Sequence, residues 1–345
     1  MAATDAPPID FSPRRGFLDV GIAVLAFVLA CAGLNALLPF PEIDVVSAEL
    51  RFFQEHQDEF DTVFVGSSRI HHQISPATFD RIMGEAGHPT RTFNFGINGM
   101  FPPESGFVLE RLLKSKPRHL KWIFLELDEL EVRRIPKADA SRRSVYWHDW
   151  KRTSLVLRKI LEGDDRGDAR DLFFFHSGLF AKNFTNIGRK TDLSWWSSHL
   201  GKKAGPPKNL GAAGDGYVPH LKKLSAEEAT SYEAVLESAL SRAETRFVSA
   251  ATERAYRQWA NEVRRIGATP IFLVTPVTAQ TRLEFRPESG VAGPVLPFND
   301  AKAYPQLYRR DMRFDADHLN AEAAEEFTRL VARHFSQLIE EKRIP

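Results

Sequence analysis

The sequence has little cysteine and almost no net charge. Cys31 is the single cysteine in 345 residues, so neither an intrachain disulfide nor a cysteine-based zinc site can form. The formal net charge is +1, which gives no indication of a nucleic-acid-binding surface. No spacing of histidines and carboxylates predicts a metal site. These features do not fix a compartment, because a protein without disulfides is compatible with the cytosol and with the periplasm.

The rest of the composition is that of a globular protein. Hydrophobic residues make up 43% of the chain and charged residues 26%, and the length permits one large domain or two small ones. Apolar, β-favouring runs alternate with helical patterns. That alternation predicts an α/β fold in which helices cover both faces of a central parallel sheet. The predicted strands are 62–66, 92–100 with a glycine-rich turn at its end, 122–128 and 270–276; the helices include 43–60, 104–114, 246–266 and 321–339.

An apolar run near the N-terminus predicts a membrane anchor. Residues 22–38 are almost wholly apolar, and counted from Gly16 the run is long enough to cross the ~30 Å hydrocarbon core of a bilayer. Arginines precede the run and acidic residues follow it. The positive-inside rule therefore places residues 1–15 in the cytoplasm and the rest of the chain outside it. A buried core helix is the alternative, which uniform hydropathy around the helix disfavours.

Three processing signals compete with an uncleaved anchor. Residues 28–31 loosely resemble a lipobox, which would make Cys31 a lipidated N-terminus. Residues 30–32 fit a small-x-small cleavage site, and residues 14–18 resemble a twin-arginine core. The apolar run continues past Cys31 to Leu38, which favours an uncleaved anchor. Each of these alternatives exports the domain that follows.

Two short blocks, far apart in the chain, carry the residue types of acyl-transfer chemistry. The first is Gly66-Ser67-Ser68, which follows an apolar strand. A serine at a strand-to-helix turn lies at the carboxyl edge of a sheet, where open α/β folds bind ligands. The second is Asp315-Ala316-Asp317-His318, in which the first carboxylate is close enough to hold the imidazole. Serine, histidine and aspartate together form a constellation that transfers acyl groups.

With these two blocks the chain resembles the SGNH (GDSL-like) hydrolase superfamily, over roughly residues 60–130 and 250–340. The resemblance implies a flavodoxin-like three-layer sandwich and no cofactor or metal. It implies that Ser68, rather than Ser67, is the nucleophile, with His318 as the base and Asp315 as the acid that orients it. It further implies that the backbone N–H groups of Ser68 and Gly99 form the oxyanion hole.

The chain departs from the superfamily pattern after the third predicted strand. The superfamily carries an asparagine there, whose side chain is an oxyanion donor, whereas this chain has Leu127-Asp128-Glu129-Leu130-Glu131. Either another group, such as Asn98, supplies that donor, or the oxyanion hole is weaker. Arg69 is a candidate for binding a carboxylate or phosphate of the substrate. A pairing of Arg69 with Asp128 at the sheet edge is the preferred interpretation.

Residues 133–250 form a predicted insertion, mostly helical, with basic runs and aromatic clusters. The insertion either shapes the substrate side of the domain or is a subdomain whose aromatic residues fill its own core. Trp195-Trp196 and Gly216-Tyr217-Val218-Pro219 form a hypothetical sugar-stacking surface. Outside the insertion, His71 and His72 are expected to be exposed on a helix rather than to act as ligands.

The expected organisation is a tail (1–15), a transmembrane anchor (16–38) and an SGNH-like domain (40–345) on the periplasmic side of the inner membrane. This arrangement resembles proteins of alginate-type O-acetylation and teichoic-acid D-alanylation. The resemblance implies an O-acyltransferase or O-acyl esterase for a cell-envelope polysaccharide or glycoconjugate, with a multispanning membrane acyltransferase as partner. A general carboxylester hydrolase is the second hypothesis. A non-catalytic scaffold or carbohydrate-binding subunit is the third.

Overall fold

The computed structural model describes residues 13–37, 43–130, 132, 134, 141–163, 168–185 and 208–344. Predictions for residues 1–12, for Leu38 and for Trp195-Trp196 concern positions outside those ranges. The fold is α/β, with a parallel sheet between two layers of helices, as the alternation of strands and helices predicts.

In the described part of the chain, seven strands form two parallel sheets. They are β1 (Thr62–Gly66), β2 (Thr92–Gly96), β3 (Trp122–Glu126), β4 (Glu244–Phe247), β5 (Thr269–Val274), β6 (Thr281–Glu284) and β7 (Val295–Pro297). The central sheet has the order β2-β1-β3-β5-β7, and β4 pairs with β6 separately. Every residue of β1, β2 and β3 is buried, which explains why their sequences are nearly continuous apolar runs.

Two strands lie where the sequence predicts other structure. The helix predicted from residue 246 begins instead at Ala250, because Ser249 caps it by accepting the N–H of Thr252. Residues 244–247 are consequently free to form β4. β7 lies within the proline-rich residues 285–304, a stretch whose composition predicts a loop, and it is an edge strand that pairs with β5. An edge position tolerates its Pro297, which has no N–H to donate to a neighbouring strand.

Helices cover both faces of the central sheet. The described helices are α1 (Pro13–Leu37), α2 (Asp44–His56), α3 (Ser68–Gln73), α4 (Pro76–Glu85), α5 (Pro102–Lys114), α6 (Arg142–Tyr146), α7 (Trp150–Glu162), α8 (Ala169–Phe184), α9 (Ala226–Ser241), α10 (Ala250–Arg265) and α11 (Ala321–Glu340). On one face, Val63 and Val65 pack in a cluster with residues of α2, α5 and α10. On the other, Phe64 and Phe124 pack with residues of α4 and α11.

The N-terminal helix α1 is long and apolar enough to cross a membrane. Its segment Gly16–Leu37 has a mean hydropathy of 2.4, and residues 16–30 are exposed. The helix is continuous through Cys31. Near its end, Asn35 Nδ2 donates a hydrogen bond to Phe184 O of α8 at 2.8 Å.

The described part of the insertion is mainly helical, as predicted, but one segment of it packs against the central sheet. Asn94 N–H of β2 donates to Asp215 O at 2.9 Å, and a Cβ added to Gly216 would lie 1.8 Å from Asn94 O. The hydroxyl of Tyr217 is buried as well. The Gly216-Tyr217 half of the hypothetical sugar-stacking surface is therefore packed against β2 rather than open to a ligand.

Candidate active site

The turn after β1 places Ser68 at the carboxyl edge of the sheet. β1 ends at Gly66, and α3 begins at Ser68. Ser67 caps the helix, because its hydroxyl accepts the N–H of Arg69 at 3.2 Å. The neighbours of β1 are β2 and β3, so this edge is the point where consecutive connections leave the sheet in opposite directions. Open α/β folds bind ligands at this topological switch point.

Glycine is required at position 66 because its neighbours leave no room for a side chain. A Cβ added to Gly66 would lie 2.3 Å from Cγ1 of Ile70 and 2.6 Å from Oε2 of Glu126. The paired glycine of β2, Gly96, is equally confined, since its Cβ would lie 2.1 Å from the backbone nitrogen of His71. These two glycines allow α3 to lie directly over the ends of β1 and β2.

The structure brings Ser68, His318 and Asp315 into one hydrogen-bonded chain. Ser68 Oγ lies 2.8 Å from His318 Nε2. His318 Nδ1 lies 2.9 Å from each carboxylate oxygen of Asp315. A proton on Nδ1, donated to Asp315, leaves Nε2 to accept the proton of Ser68. The arrangement is that of a nucleophile, its base and the group that orients the base.

The Asp315–His318 loop is held by backbone hydrogen bonds to the same carboxylate. Asp315 Oδ1 accepts the N–H of Asp317 at 2.8 Å and the N–H of His318 at 2.7 Å. Burial opposes ionisation of this group, but the bonds to the imidazole and the two N–H donors prevail and lower the pKa of Asp315 to about 2. Asp315 therefore remains a carboxylate at any neutral or moderately acidic pH.

The buried side chain of Arg313 holds the 315–318 loop in place, a role that the sequence pattern did not indicate. Its side chain is fully buried, and its guanidinium donates to Pro276 O at 3.0 Å and to Ala316 O at 2.6 Å. The same guanidinium lies 5.3 Å from the ring centre of Tyr232 and 5.5 Å from that of Tyr308. Arginine is rarely buried, and an arginine two residues before the Asp-x-x-His block is the signal that could have identified it.

A network of charged groups beneath Ser68 is the second feature that sequence reasoning missed. Glu126, at the end of β3, is buried, and its Oε2 accepts the N–H of Ser67 at 2.6 Å. Its Oε1 lies 2.7 Å from Nε of Arg69 and accepts the hydroxyl of Thr275 at 3.2 Å. Arg69 Nη2 also pairs with Asp128 at 2.5 Å, as preferred from the sequence. Burial lowers the pKa of Arg69, but the charges of Glu126 and Asp128 outweigh it and raise the pKa.

The backbone N–H groups of Ser68 and Gly99 are candidate donors for an oxyanion, whereas Asn98 does not line the cavity. Among the hydrogen bonds of the described residues, none uses the N–H of Ser68 or of Gly99, and both residues line the same cavity. Gly99 has φ +69°, a conformation that favours glycine. The carbonyl of Asn98 accepts Nη1 of Arg143 at 2.8 Å.

Asp128 and Glu129, which stand where the SGNH resemblance would place an asparagine, have structural partners. Asp128 is paired with Arg69. Glu129 accepts hydrogen bonds from the hydroxyls of Ser249 at 3.0 Å and Thr252 at 2.6 Å, which fixes the start of α10. After β3, the carboxylate of Asp128 therefore binds Arg69 of α3, and that of Glu129 binds the start of α10. In the SGNH superfamily an asparagine side chain occupies this region.

Ser68 and His318 open into a cavity of about 540 Å³. This volume lies within the range of small-molecule binding sites. The wall opposite the serine comes from the small β4–β6 sheet, which contributes Arg246, Thr281 and Leu283. Arg246 is exposed and makes no ion pair with any residue that the structure describes. Other lining residues are Met100, Phe101, Pro102, Val277 and Asn299.

The histidines beside the site are buried, contrary to the expectation that His71 and His72 are exposed. They are 3% and 6% exposed, because α3 lies under the segment that carries Val218 and His220. His72 Nδ1 lies 2.5 Å from Val218 O, and the ring of His220 stacks on Phe314 at 3.8 Å. Burial is the main cause that lowers the pKa of His71 to about 4. Within the described ranges no group of three or more metal-ligating side chains is arranged to hold a metal.

Comparison with known proteins adds no relative to this picture. No protein-family profile matches the chain, and no curated protein sequence matches it. Any functional conclusion therefore depends on the geometry of the site.

Proposed function

We propose that this protein is an exported, membrane-anchored SGNH-type serine O-acyltransferase or O-acyl esterase that acts on a cell-envelope polysaccharide or glycoconjugate. The observation that carries the proposal is the hydrogen-bonded chain from Ser68 through His318 to Asp315, which opens into a cavity at the switch point of the sheet. Residues 250 positions apart in sequence meet in this chain. A serine whose only role is to end a strand would not require a hydrogen bond to a histidine so distant in the sequence.

In the proposed reaction Ser68 Oγ attacks the acyl carbonyl while His318 Nε2 takes the serine proton. Asp315 holds the other imidazole nitrogen and stabilises the imidazolium that forms. The N–H groups of Ser68 and Gly99 stabilise the tetrahedral oxyanion, each worth about 3–4 kcal/mol in enzymes of this type. His318 then returns its proton to the departing oxygen, which leaves an acyl-serine.

The fate of the acyl-serine separates the two activities. Attack by water releases the acid and completes an esterase cycle, whereas attack by a sugar hydroxyl completes a transfer. In either case His318 accepts a proton from the attacking group and returns it to Ser68, so the same residues serve both. Arg246, an exposed cation on the cavity wall that pairs with no carboxylate of the described residues, is available to an anionic acceptor.

The envelope assignment rests on α1, which is long and apolar enough to be the anchor of an exported domain. The sequence asymmetry around it, with arginines before and carboxylates after, supports an external domain. The resemblance to alginate-type O-acetylation and teichoic-acid D-alanylation proteins supports a polymer substrate and a multispanning membrane acyltransferase as partner. A general carboxylester hydrolase would use the same site with small esters.

A fluorophosphonate probe tests the nucleophile. We expect the detergent-solubilised full chain to gain one adduct by intact mass. We expect Ser68→Ala to abolish that adduct, His318→Ala to slow its formation, and the matched control Ser67→Ala to retain it. Absence of an adduct on the folded wild type, with no change in cellular function in Ser68→Ala, would instead indicate the non-catalytic scaffold or carbohydrate-binding subunit.

Product analysis with an activated acyl ester then separates the enzymatic hypotheses. Turnover that increases with added polysaccharide, with acyl groups recovered on the polymer, indicates transfer. Hydrolysis that is faster on acylated polymer than on small esters indicates an O-acyl esterase. Equal turnover with and without polymer indicates the general carboxylester hydrolase.

A further inference from the structure

Helix α8 carries a group of phenylalanines that the core leaves at least partly exposed. It contains five phenylalanines, and none of them is buried, whereas the phenylalanines of β1, β2 and β3 are all fully buried. Phe174 is 65% exposed, and the ring of Phe180 lies 5.8 Å from that of Trp150, which is itself 67% exposed. Exposed Trp150 and partly exposed Phe180 therefore share one aromatic surface, and exposed apolar surface of this kind is typical of interaction sites.

The position of this surface relative to α1 indicates what covers it. In α1, residues 16–30 are exposed, but Cys31 is only 3% exposed, and Asn35 donates to the last carbonyl of α8, that of Phe184. The end of α8 therefore packs against the final two turns of the membrane-spanning candidate. Asn35 lies two residues from the end of α1, about 3 Å along a helix axis.

Phe180 is about one helical turn from Phe184, and Trp150 contacts Phe180. If α1 spans a bilayer, these rings lie near the level at which the span leaves the hydrocarbon core. Tryptophan is enriched at this level because its ring is apolar and its N–H is polar. Exposed Lys182 lies two residues from Phe180, and its long side chain can reach lipid headgroups while its methylenes remain in the apolar layer.

We propose that the start of α7 and the end of α8 form a second membrane contact, with Trp150 and Phe180 inserted into the outer interface of the bilayer and lipid as their occupant. The proposal rests on the membrane anchoring in the proposed function. Asn35 links α1 to α8, because its side-chain amide donates hydrogen bonds to Cys31 O of α1 and to Phe184 O of α8. Two contacts, rather than one flexible tether, then fix the tilt of the catalytic domain on the membrane.

Site-directed spin labelling tests this contact in the full chain. Since Cys31 is the single cysteine, Cys31→Ala gives a background for labels placed one at a time by Trp150→Cys, Phe180→Cys, Phe27→Cys and Val235→Cys. Phe27 lies in the middle of α1. Val235 is the matched control, because it is 51% exposed on α9, which packs with the opposite face of the sheet. The protein is reconstituted in phosphatidylethanolamine–phosphatidylglycerol vesicles, without any partner protein.

Collision of each label with oxygen and with a water-soluble nickel chelate reports its environment. We expect labels at 150 and 180 to lose nickel collisions and gain oxygen collisions relative to the label at 235. Nickel access at both positions equal to that at 235 would overturn the proposal and leave the surface to a protein partner. If the label at 27 is protected from the nickel chelate while the labels at 150 and 180 are accessible to it, the second contact is rejected and the anchor is retained. If the label at 27 is also accessible to the chelate, both the anchor and the second contact are rejected. Fluorophosphonate labelling of the same samples reports on the active site independently and shows that each variant is folded.

Discussion

The carboxylate of Glu126 accepts the backbone N–H of Ser67 at 2.6 Å, directly beside the proposed nucleophile. The other oxygen of this carboxylate binds Arg69 and Thr275. A buried acid at the end of β3 therefore fixes the turn that follows β1. Since Glu126 does not line the cavity, it acts as a positioning residue rather than a catalytic one.

Substitutions at Glu126 and at its partner Thr275 should destabilise the protein in a defined order. Thr275→Val removes one long hydrogen bond to the Glu126 carboxylate and should cost about 1.5 kcal/mol. Glu126→Gln keeps an acceptor for Ser67 but removes the charge facing Arg69, and should cost about 1–3 kcal/mol. Glu126→Ala removes one partner of this pair, which leaves Arg69 with Asp128 alone and the N–H of Ser67 without its acceptor, and should cost about 3–5 kcal/mol. Thermal unfolding in detergent measures the order, and a Glu126→Ala protein as stable as wild type would contradict it.

Gly66→Ala should disturb the nucleophile turn, because the new Cβ collides with Ile70 and Glu126. We expect a loss of about 1–3 kcal/mol and slower fluorophosphonate labelling. Gly84→Ala is the matched control, since a Cβ at this helical position meets no atom within 4 Å. That change should stabilise the protein by about 0.5–1 kcal/mol and leave the labelling rate unchanged. Equal effects of the two substitutions would refute the steric argument.

Asp315→Asn should show how far catalysis depends on the orientation of His318, because the substitution leaves the imidazole itself in place. The amide donates to His318 Nδ1 and so favours the tautomer with its proton on Nε2, which cannot accept the proton of Ser68. We expect the acylation rate to fall by about 10³–10⁴-fold with little loss of stability. The pKa of Asp315 is about 2, so the wild-type carboxylate is ionised throughout the usual assay range and the defect should appear at every pH tested. A rate within tenfold (about 1.4 kcal/mol) of wild type would exclude Asp315 from this role.

Stability should fall in mild acid because of His71. Its pKa is about 4 in the folded protein and about 6.5 in an unfolded chain, so the unfolded state binds more protons between these values. As the pH falls from neutrality to about 5, this difference should cost about 2 kcal/mol. His71→Leu should remove that part of the loss. Thermal unfolding of both proteins at several pH values checks the slope, and parallel pH profiles would show that another group is responsible.

The sequence by itself determined the layer architecture and named the residues of the proposed site. Continuous apolar runs at residues 62–66 and 122–128 required strands buried on both faces, and Gly66-Ser67-Ser68 with Asp315 and His318 named the proposed machinery. These features are local, since each depends on residue types within a few positions.

Only the tertiary structure decided which distant groups meet. Glu126 appears in the sequence as the polar end of a strand, and its bond to Ser67 exists because β1 and β3 are neighbours in the sheet. β7 escaped prediction because a three-residue edge strand is recognised by its partner rather than by its composition. The burial of His71 and His72 also depends on a distant segment, because residues near 218 cover these histidines. The local sequence of a helix does not indicate which segment of a long insertion will pack on it, so the prediction that both histidines are exposed is wrong.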